Sequence, residues 1–234
     1  MLFAAGLGTR LKPFTDYHPK ALAPVNGKSL LELNITYLQK FGIVEVIVNV
    51  HHFAEQIEEV LEQNNGFGSR VYISDERNEV LETGGGLLKA AHFFQNEDFV
   101  VMNVDMLTNL NLEALIKAHK ESDALATLAV MKRDSSRQLL FDNEMQLCAW
   151  RNNNNGEMKI ARDTSKTNEF AFSGIQIIHT DFFKHIIQSG KFSIIDSYLQ
   201  LAATQSIKGF DHSGDLVLDV GKPESLILAE QLFS

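Results

Sequence analysis

One cysteine in 234 residues, Cys148, excludes an intrachain disulfide and any cluster of thiolate metal ligands. It stands in Gln146-Leu147-Cys148-Ala149-Trp150, where a packed structural thiol is expected. No apolar run approaches the roughly 20 residues of a membrane-spanning helix. The first residues have neither the basic start nor the cleavage site of a secretory signal, so a soluble cytoplasmic protein with no membrane partner is expected. Positive charge is scarce as well. With 21 Lys and Arg against 30 Asp and Glu the formal charge is −9, which argues against nonspecific binding to nucleic acid or to anionic membranes. A nucleotide remains admissible, because a few local cations and one divalent metal can hold one phosphate chain. The eight histidines carry no metal-binding pattern. His51 and His52 are adjacent and face opposite sides of a strand, and no HExxH spacing occurs. Neither a Gly-x-Ser-x-Gly elbow nor a Cys-His arrangement offers a covalent nucleophile.

What is present is concentrated near the start. A short apolar strand, Met1 to Ala5, runs into Gly6-Leu7-Gly8-Thr9-Arg10, and Pro19-Lys20 follows ten residues later. Two glycines let the backbone turn sharply and bring N–H groups close to a ligand. Arg10 presents a planar fork of donors suited to phosphate oxygens, and Lys20 a compact charge on a flexible stem. Pro13 and Pro19 stiffen the segment between them. The spacing is neither that of a P-loop, which needs Gly-Lys-Ser/Thr, nor that of the dinucleotide fingerprint, which needs a third glycine.

Hydrophobic periodicity places elements along the rest of the chain. Ser29-Leu-Leu-Glu32 is a capping box for a helix with Leu31, Ile35, Leu38 and Phe41 on its apolar face, ended by Gly42. Strands are predicted at 44–50, 70–74, 99–103 and 124–131, and helices at 54–63, from Gly86 or Leu87 toward Phe94, and at 112–120. This alternation predicts an α/β fold, a Rossmann-like and mostly parallel sheet with flanking helices. Ligands then sit beyond the carboxyl ends of the strands, where the first loop falls. The second half is less regular. A hairpin is predicted over 139–150, a polar and mobile loop or lid over 151–168 with four consecutive asparagines, and a strand over 170–178. Two helices, a short strand at 216–219 and a helix opened by Pro223 complete the chain. Neither an internal repeat nor a linker between independent domains is evident.

Asp105 and Asp219 both follow apolar strands, Phe99–Asn103 and Leu216–Leu218. Strand-end carboxylates at the ligand edge are placed to hold Mg2+, although such aspartates also serve as helix caps. Leu81-Glu82-Thr83-Gly84-Gly85-Gly86 puts three glycines ahead of a predicted helix, which allows flat packing against a base. An ionised Glu82 only accepts hydrogen bonds, so it selects a base edge that donates, as in uracil or guanine.

The loop resembles the signature of sugar-phosphate nucleotidyltransferases, Gly-x-Gly-Thr-Arg followed by Pro-Lys-x-Leu-x-Pro-Val, and Pro19-Lys20-Ala21-Leu22-Ala23-Pro24-Val25 matches the second part completely. The resemblance covers essentially the whole chain and implies one domain over 1–234, with a nucleotide-binding part over about 1–110 and an elaborated sugar-binding part over about 111–234. It implies transfer of a nucleotidyl group from a nucleoside triphosphate to a sugar 1-phosphate, with Mg2+ as cofactor. Arg10 is assigned to the triphosphate, Lys20 to the attacking or α-phosphate, and Asp105 and Asp219 to the metal; Arg10, Lys20 and Asp105 form the catalytic set. Nucleotide contacts are implied for Ala5, Gly6, Gly8, Thr9 and Arg10 from the loop. Glu82, Gly84, Gly85 and Asn103 add to them. Phe172-Ser173-Gly174-Ile175 is similar to the strand that lines the family's sugar pocket, so Ser173 and Gly174 join Lys20 at the sugar phosphate. Val104 stands where the family has glycine and Lys222 where it has threonine, and the family's Glu-Lys-Pro before the sugar strand is absent. Leu-Glu-Thr-Gly-Gly-Gly resembles the segment of N-acetylmuramate 1-phosphate uridylyltransferases, which makes UTP the expected donor. A guanylyltransferase acting on mannose or heptose 1-phosphate is the alternative, and a non-catalytic nucleotide-sugar-binding regulator is the alternative of another class. Oligomeric state, and whether native residues precede Met1, stay open.

Overall fold

The computed structural model describes residues 1–95 and 97–233. Two compact units divide the chain, the first formed by Met1–Phe93, Met102–Asn109 and Leu216–Ser234, the second by Phe94–Val101 and Leu110–Asp215.

At the centre of the first unit, Leu2–Phe3 pairs in parallel with Glu45–Val50 on one side and with Met102–Asn103, the end of the Phe99–Asn103 strand, on the other. Arg70–Asp75 extends the sheet in parallel beyond Glu45–Val50. Buried parallel strands read as continuous apolar runs, and Val46 to Val50 does so except at Asn49. The Leu30–Gln39 helix begins as the capping box requires, the Ser29 hydroxyl accepting from the Glu32 N–H at 3.1 Å. Its Leu31, Ile35 and Leu38 are buried, as are Ala54, Ile57 and Leu61 of the Ala54–Gln63 helix. The Pro223–Leu232 helix places Ala229 in a cluster with Leu11, Val25, Leu30, Leu107 and Val220, which ties the chain's last segment to the first loop.

One helix departs from expectation. It spans Glu82–Lys89, so the three glycines lie inside its first turns and not ahead of it. Glycine is a poor helix former, but Gly84, Gly85 and Gly86 are all buried, and packing overrides propensity. At Gly86 a β-carbon would meet Glu76 Oε1 at 2.7 Å and Asn49 Nδ2 at 3.1 Å. Only a residue without a side chain lets the helix come so near.

In the second unit Ala126–Met131 pairs antiparallel with Asn168–Ile178 and parallel with Ile207–Asp211. Arg137–Phe141 and Leu147–Asn152 form the expected hairpin, so antiparallel pairing dominates here while the central strands of the first unit run parallel. The 151–168 segment is not one loop. Met158–Ile160 pairs antiparallel with Leu147–Asn152, and the asparagines make the turn between them. Asn152 Oδ1 accepts from Asn154 N and Asn155 Oδ1 from Glu157 N, both at 3.0 Å, with Gly156 at φ +76°. Cys148 is buried, as expected, and burial pushes its thiol pKa up. Among the described residues no helix is long and apolar enough to cross a membrane.

Candidate active site

A cavity of about 400 Å³ opens in the first unit at the carboxyl ends of its parallel strands. One wall is the first loop, with Ala5, Gly6, Gly8, Thr9 and Arg10; the floor carries Lys20, Asn103, Val104, Asp105 and Gly221; the far wall holds Glu76, Val80, Glu82 and Thr83. Loop geometry explains the residue types. Gly8 is left-handed at φ +60°, and a β-carbon there would lie 2.8 Å from Thr15 Cγ2 and 3.0 Å from Lys20 Cβ. The Thr15 hydroxyl donates to the Gly8 carbonyl at 2.9 Å, and buried Leu11 anchors the short turn Thr9–Leu11. Gly6, Leu7, Thr9 and Arg10 are left exposed.

Charge is concentrated on the floor. The Lys20 ammonium is ion-paired to Asp105 Oδ2 and lies 4.0 Å from Asp219 Oδ1. Arg10 Nη2 reaches Asp219 Oδ2 at 3.5 Å. Asp105 sits in the tight turn between Phe99–Asn103 and Met106–Thr108. That turn is held from behind, the Asn34 amide donating to the Val104 carbonyl at 2.8 Å. Val217–Asp219 pairs antiparallel with Met106–Thr108, and the Val220 N–H donates to the Asp105 carbonyl at 2.8 Å. Two aspartates 114 residues apart thus end on neighbouring strands with a single ammonium between them. Gly221 allows the last approach, since a β-carbon there would lie 2.6 Å from Asp219 Oδ1 and 2.7 Å from Arg10 Nη2.

Two hard oxygen donors converging on a cation suit Mg2+, which keeps much of its shell as water and substrate phosphate. Among the described residues no group of three or more His, Cys, Asp or Glu could hold a metal, so this chain supplies no closed cage. The donor set fits an ion that is completed by its substrate.

Of the residues singled out from sequence, Ala5, Gly6, Gly8, Thr9, Arg10, Lys20, Glu82, Asn103 and Asp105 line the cavity, and Asp219 adjoins it through Arg10 and Lys20. Glu82 is exposed on the wall at φ +57°. Gly84 and Gly85 are buried in the helix instead, and the wall is made by Val80 and Thr83. Ser173 and Gly174 belong to the second unit. Ser173 is wholly buried, its hydroxyl 2.8 Å from His212 Nε2, and Gly174 at φ +71° turns the strand where its pairing shifts between Phe172 and Gln176. Asp215 Oδ2 lies 3.3 Å from His212 Nδ1. Such a Ser-His-Asp line has the order of a hydrolytic triad, but a serine with no exposed surface cannot meet a substrate. Asn49 and Glu76 were missed by the sequence reading. The signals were there, a polar residue inside an apolar strand and a carboxylate just past the end of another.

A sequence profile of the nucleotidyl transferase family matches residues 1–139. The chain is 30% identical to an N-acetylmuramate alpha-1-phosphate uridylyltransferase of Neisseria meningitidis, over 94% of this chain and 92% of that one. It is also 30% identical to a D-glycero-alpha-D-manno-heptose 1-phosphate guanylyltransferase of Campylobacter jejuni, over 96% and 95%. A longer relative, a UTP–glucose-1-phosphate uridylyltransferase of Synechocystis, is 36% identical over 55% of this chain, and the match spans 36% of its own length. Among solved structures, HddC from Yersinia pseudotuberculosis superposes with a TM-score of 0.80 at 25% identity, covering 100% of this chain and 98% of that one.

Proposed function

The chain belongs to the nucleotidyl transferase family, and within it we propose that this enzyme joins UTP to N-acetylmuramate 1-phosphate in the cytoplasm, releasing pyrophosphate. The observation that carries the reaction is the floor of the cavity, where Lys20 bridges Asp105 and Asp219 beside the Arg10 loop. A phosphate oxygen of the sugar 1-phosphate attacks the α-phosphorus of the triphosphate. The new O–P bond forms as the bond to the β-phosphate bridging oxygen breaks, and that oxygen leaves with pyrophosphate. The nucleophile is already an anion, so no general base is required. Two anions must instead be brought together and the charge that moves onto the leaving group neutralised.

Each residue has a part in that task. Arg10, more than half exposed, swings its guanidinium from Asp219 to the β- and γ-phosphates. Lys20, buried and paired with Asp105, presents its ammonium to the reacting phosphate. The backbone N–H groups of the exposed loop hold the triphosphate's outer oxygens. Asp105 and Asp219 would hold Mg2+, which when bound would supply Lewis-acid neutralisation of phosphate charge. The choice of UTP rests on Glu82 and on the likeness to the uridylyltransferase, and the guanylyltransferase relative makes GTP the competitor.

Pyrophosphate release measured for all four triphosphates against N-acetylmuramate, mannose, heptose and glucose 1-phosphates tests this reading. UTP with N-acetylmuramate 1-phosphate is expected to give the highest kcat/KM. Nucleotide binding without release in any combination overturns the enzymatic reading.

A further inference from the structure

Glu76 and Asn49 form a buried polar pair that the chemistry above does not use. Their relative exposures are 1% and 3%, yet both reach the wall of the nucleotide cavity. Asn49 Oδ1 accepts from the Ala4 N–H at 2.6 Å and the Ala5 N–H at 3.3 Å. Its Nδ2 donates to Glu76 Oε1 at 2.7 Å, and Glu76 Oε2 accepts from the Leu81 N–H at 3.3 Å. One line of hydrogen bonds therefore runs from the start of the phosphate loop to the turn that carries Glu82. It has a single sense, since both hydrogen bonds to the Glu76 carboxylate come from donors and the Asn49 amide cannot be reversed without facing donor to donor. The backbone is pinned too. Glu76 N donates to the Val50 carbonyl at 2.8 Å, and His51 Nδ1 donates to the Glu76 carbonyl at 2.7 Å.

From this we infer that Asn49 and Glu76 are positioning residues, which fix the base-reading turn at Leu81–Thr83 against the Ala4–Ala5 end of the phosphate loop and so set the cavity's choice of base. The inference rests on the proposed nucleotidyl transfer for its ligand, and on geometry for its mechanism. Burying a carboxylate is unfavourable, and burial here raises the Glu76 pKa against the opposing hydrogen bonds from Asn49 and Leu81. Apolar side chains would join strand and helix with less penalty. What they cannot supply is a directional link of fixed length to backbone N–H groups on both sides of the cavity. Gly86 belongs to the same device, because a β-carbon there would press on Glu76 Oε1 and Asn49 Nδ2.

The test exchanges donor and acceptor. Glu76→Gln leaves the Leu81 N–H or the Asn49 amide facing a donor. The double variant Asn49→Asp with Glu76→Gln restores every bond, because a carboxylate at position 49 accepts from Ala4, Ala5 and the new amide, whose oxygen accepts from Leu81. In the single variant, KM for the preferred triphosphate is expected to rise about 10-fold and the kcat/KM ratio between UTP and GTP to fall about 10-fold, with kcat within about 3-fold. In the double variant both return to within about 3-fold of wild type. Hydrogen exchange at residues 81–86 in the nucleotide-free protein is expected to quicken in the single variant and recover in the double. A single variant with a lowered Tm but an unchanged KM and base ratio overturns the inference. So does a folded double variant as impaired as the single, which would mean that Glu76 itself meets the base. If wild type releases no pyrophosphate, the enzymatic reading fails alone, and calorimetric affinities for UTP and GTP decide the inference by the same ratios. If neither triphosphate binds, both fall.

Discussion

Lys20 and Asp105, 85 residues apart in sequence, form an ion pair with side chains only 10% and 21% exposed, and the same ammonium lies within 4.0 Å of Asp219. A pair so shielded is not a surface ornament. Removing one partner strands the other in a place where it is poorly solvated.

Asp105→Asn and Asp219→Asn are each expected to lower kcat by about 10²-fold or more while far-UV circular dichroism stays native, since each removes one oxygen donor proposed for the metal. Near-normal turnover by either variant at saturating Mg2+ would show that the metal is held elsewhere.

Lys20→Ala is expected to lower kcat by about 10²-fold and to change triphosphate affinity far less, because its partner in the proposed reaction is the phosphate that reacts. Steady-state kinetics beside equilibrium binding of UTP separates the two. Lost affinity with an intact maximal rate would make Lys20 a binding residue only.

Gly8→Ala combines a left-handed backbone with contacts at 2.8 Å to Thr15 and 3.0 Å to Lys20. The strain alone costs about 1 kcal/mol. A lower Tm together with a loss of turnover is expected, since the added methyl meets Lys20 near its root and displaces the ammonium. A variant that lost stability and kept full activity would show that the loop gives way on the other side.

UTP is expected to exceed ATP and CTP by about 10²-fold in kcat/KM, because neither of those bases offers Glu82 an imide donor. A preference for GTP would keep the role of Glu82 and change the subgroup. A preference for ATP or CTP would remove Glu82 from base recognition.

Stability is expected to fall in mild acid through two histidines of the second unit. Burial lowers the pKa of His119, with Asp98 opposing and His179 and Lys120 reinforcing; it lowers that of His212, with Asp215 and Asp211 opposing and Arg133 reinforcing. Below about pH 6.5 the unfolded chain takes up protons that the folded one refuses. Stability is therefore full above that pH and declines as pH drops toward the lower folded values. Tm measured from pH 8 to pH 5 should show the decline, and His119→Asn, which removes one of the two groups, should flatten it. A slope unchanged by that substitution would mean that His119 is not its source.

Much of the architecture was legible because it is local. Ser29 and Glu32 announce a helix start, the apolar periodicity of 54–63 fixes a helix at its observed bounds, and Phe99–Asn103 reads as a buried strand. The asparagines at 152–155 were equally visible, but as a polar run they suggested a loop, and only the partner strand Leu147–Asn152 shows that they turn a hairpin. The glycines at 84–86 misled for a similar reason. Their propensity argues against a helix, and what reverses it is the nearness of Asn49 and Glu76, which no window of sequence contains.

By itself the sequence determined the chemistry available: a glycine loop with Arg10 and Lys20, two strand-end aspartates, and a carboxylate beside a glycine run. Side-chain type and short-range spacing set which groups exist and which segment bears them. Only the tertiary structure decided that Asp219, near the end of the chain, stands beside Asp105, through the pairing of Val217–Asp219 with Met106–Thr108. It alone joined Ala4 to Leu81 through Asn49 and Glu76. Contacts of that kind depend on which strands share a sheet and in what register, and long-range pairing is settled by the burial of the whole core, not by the residues that meet.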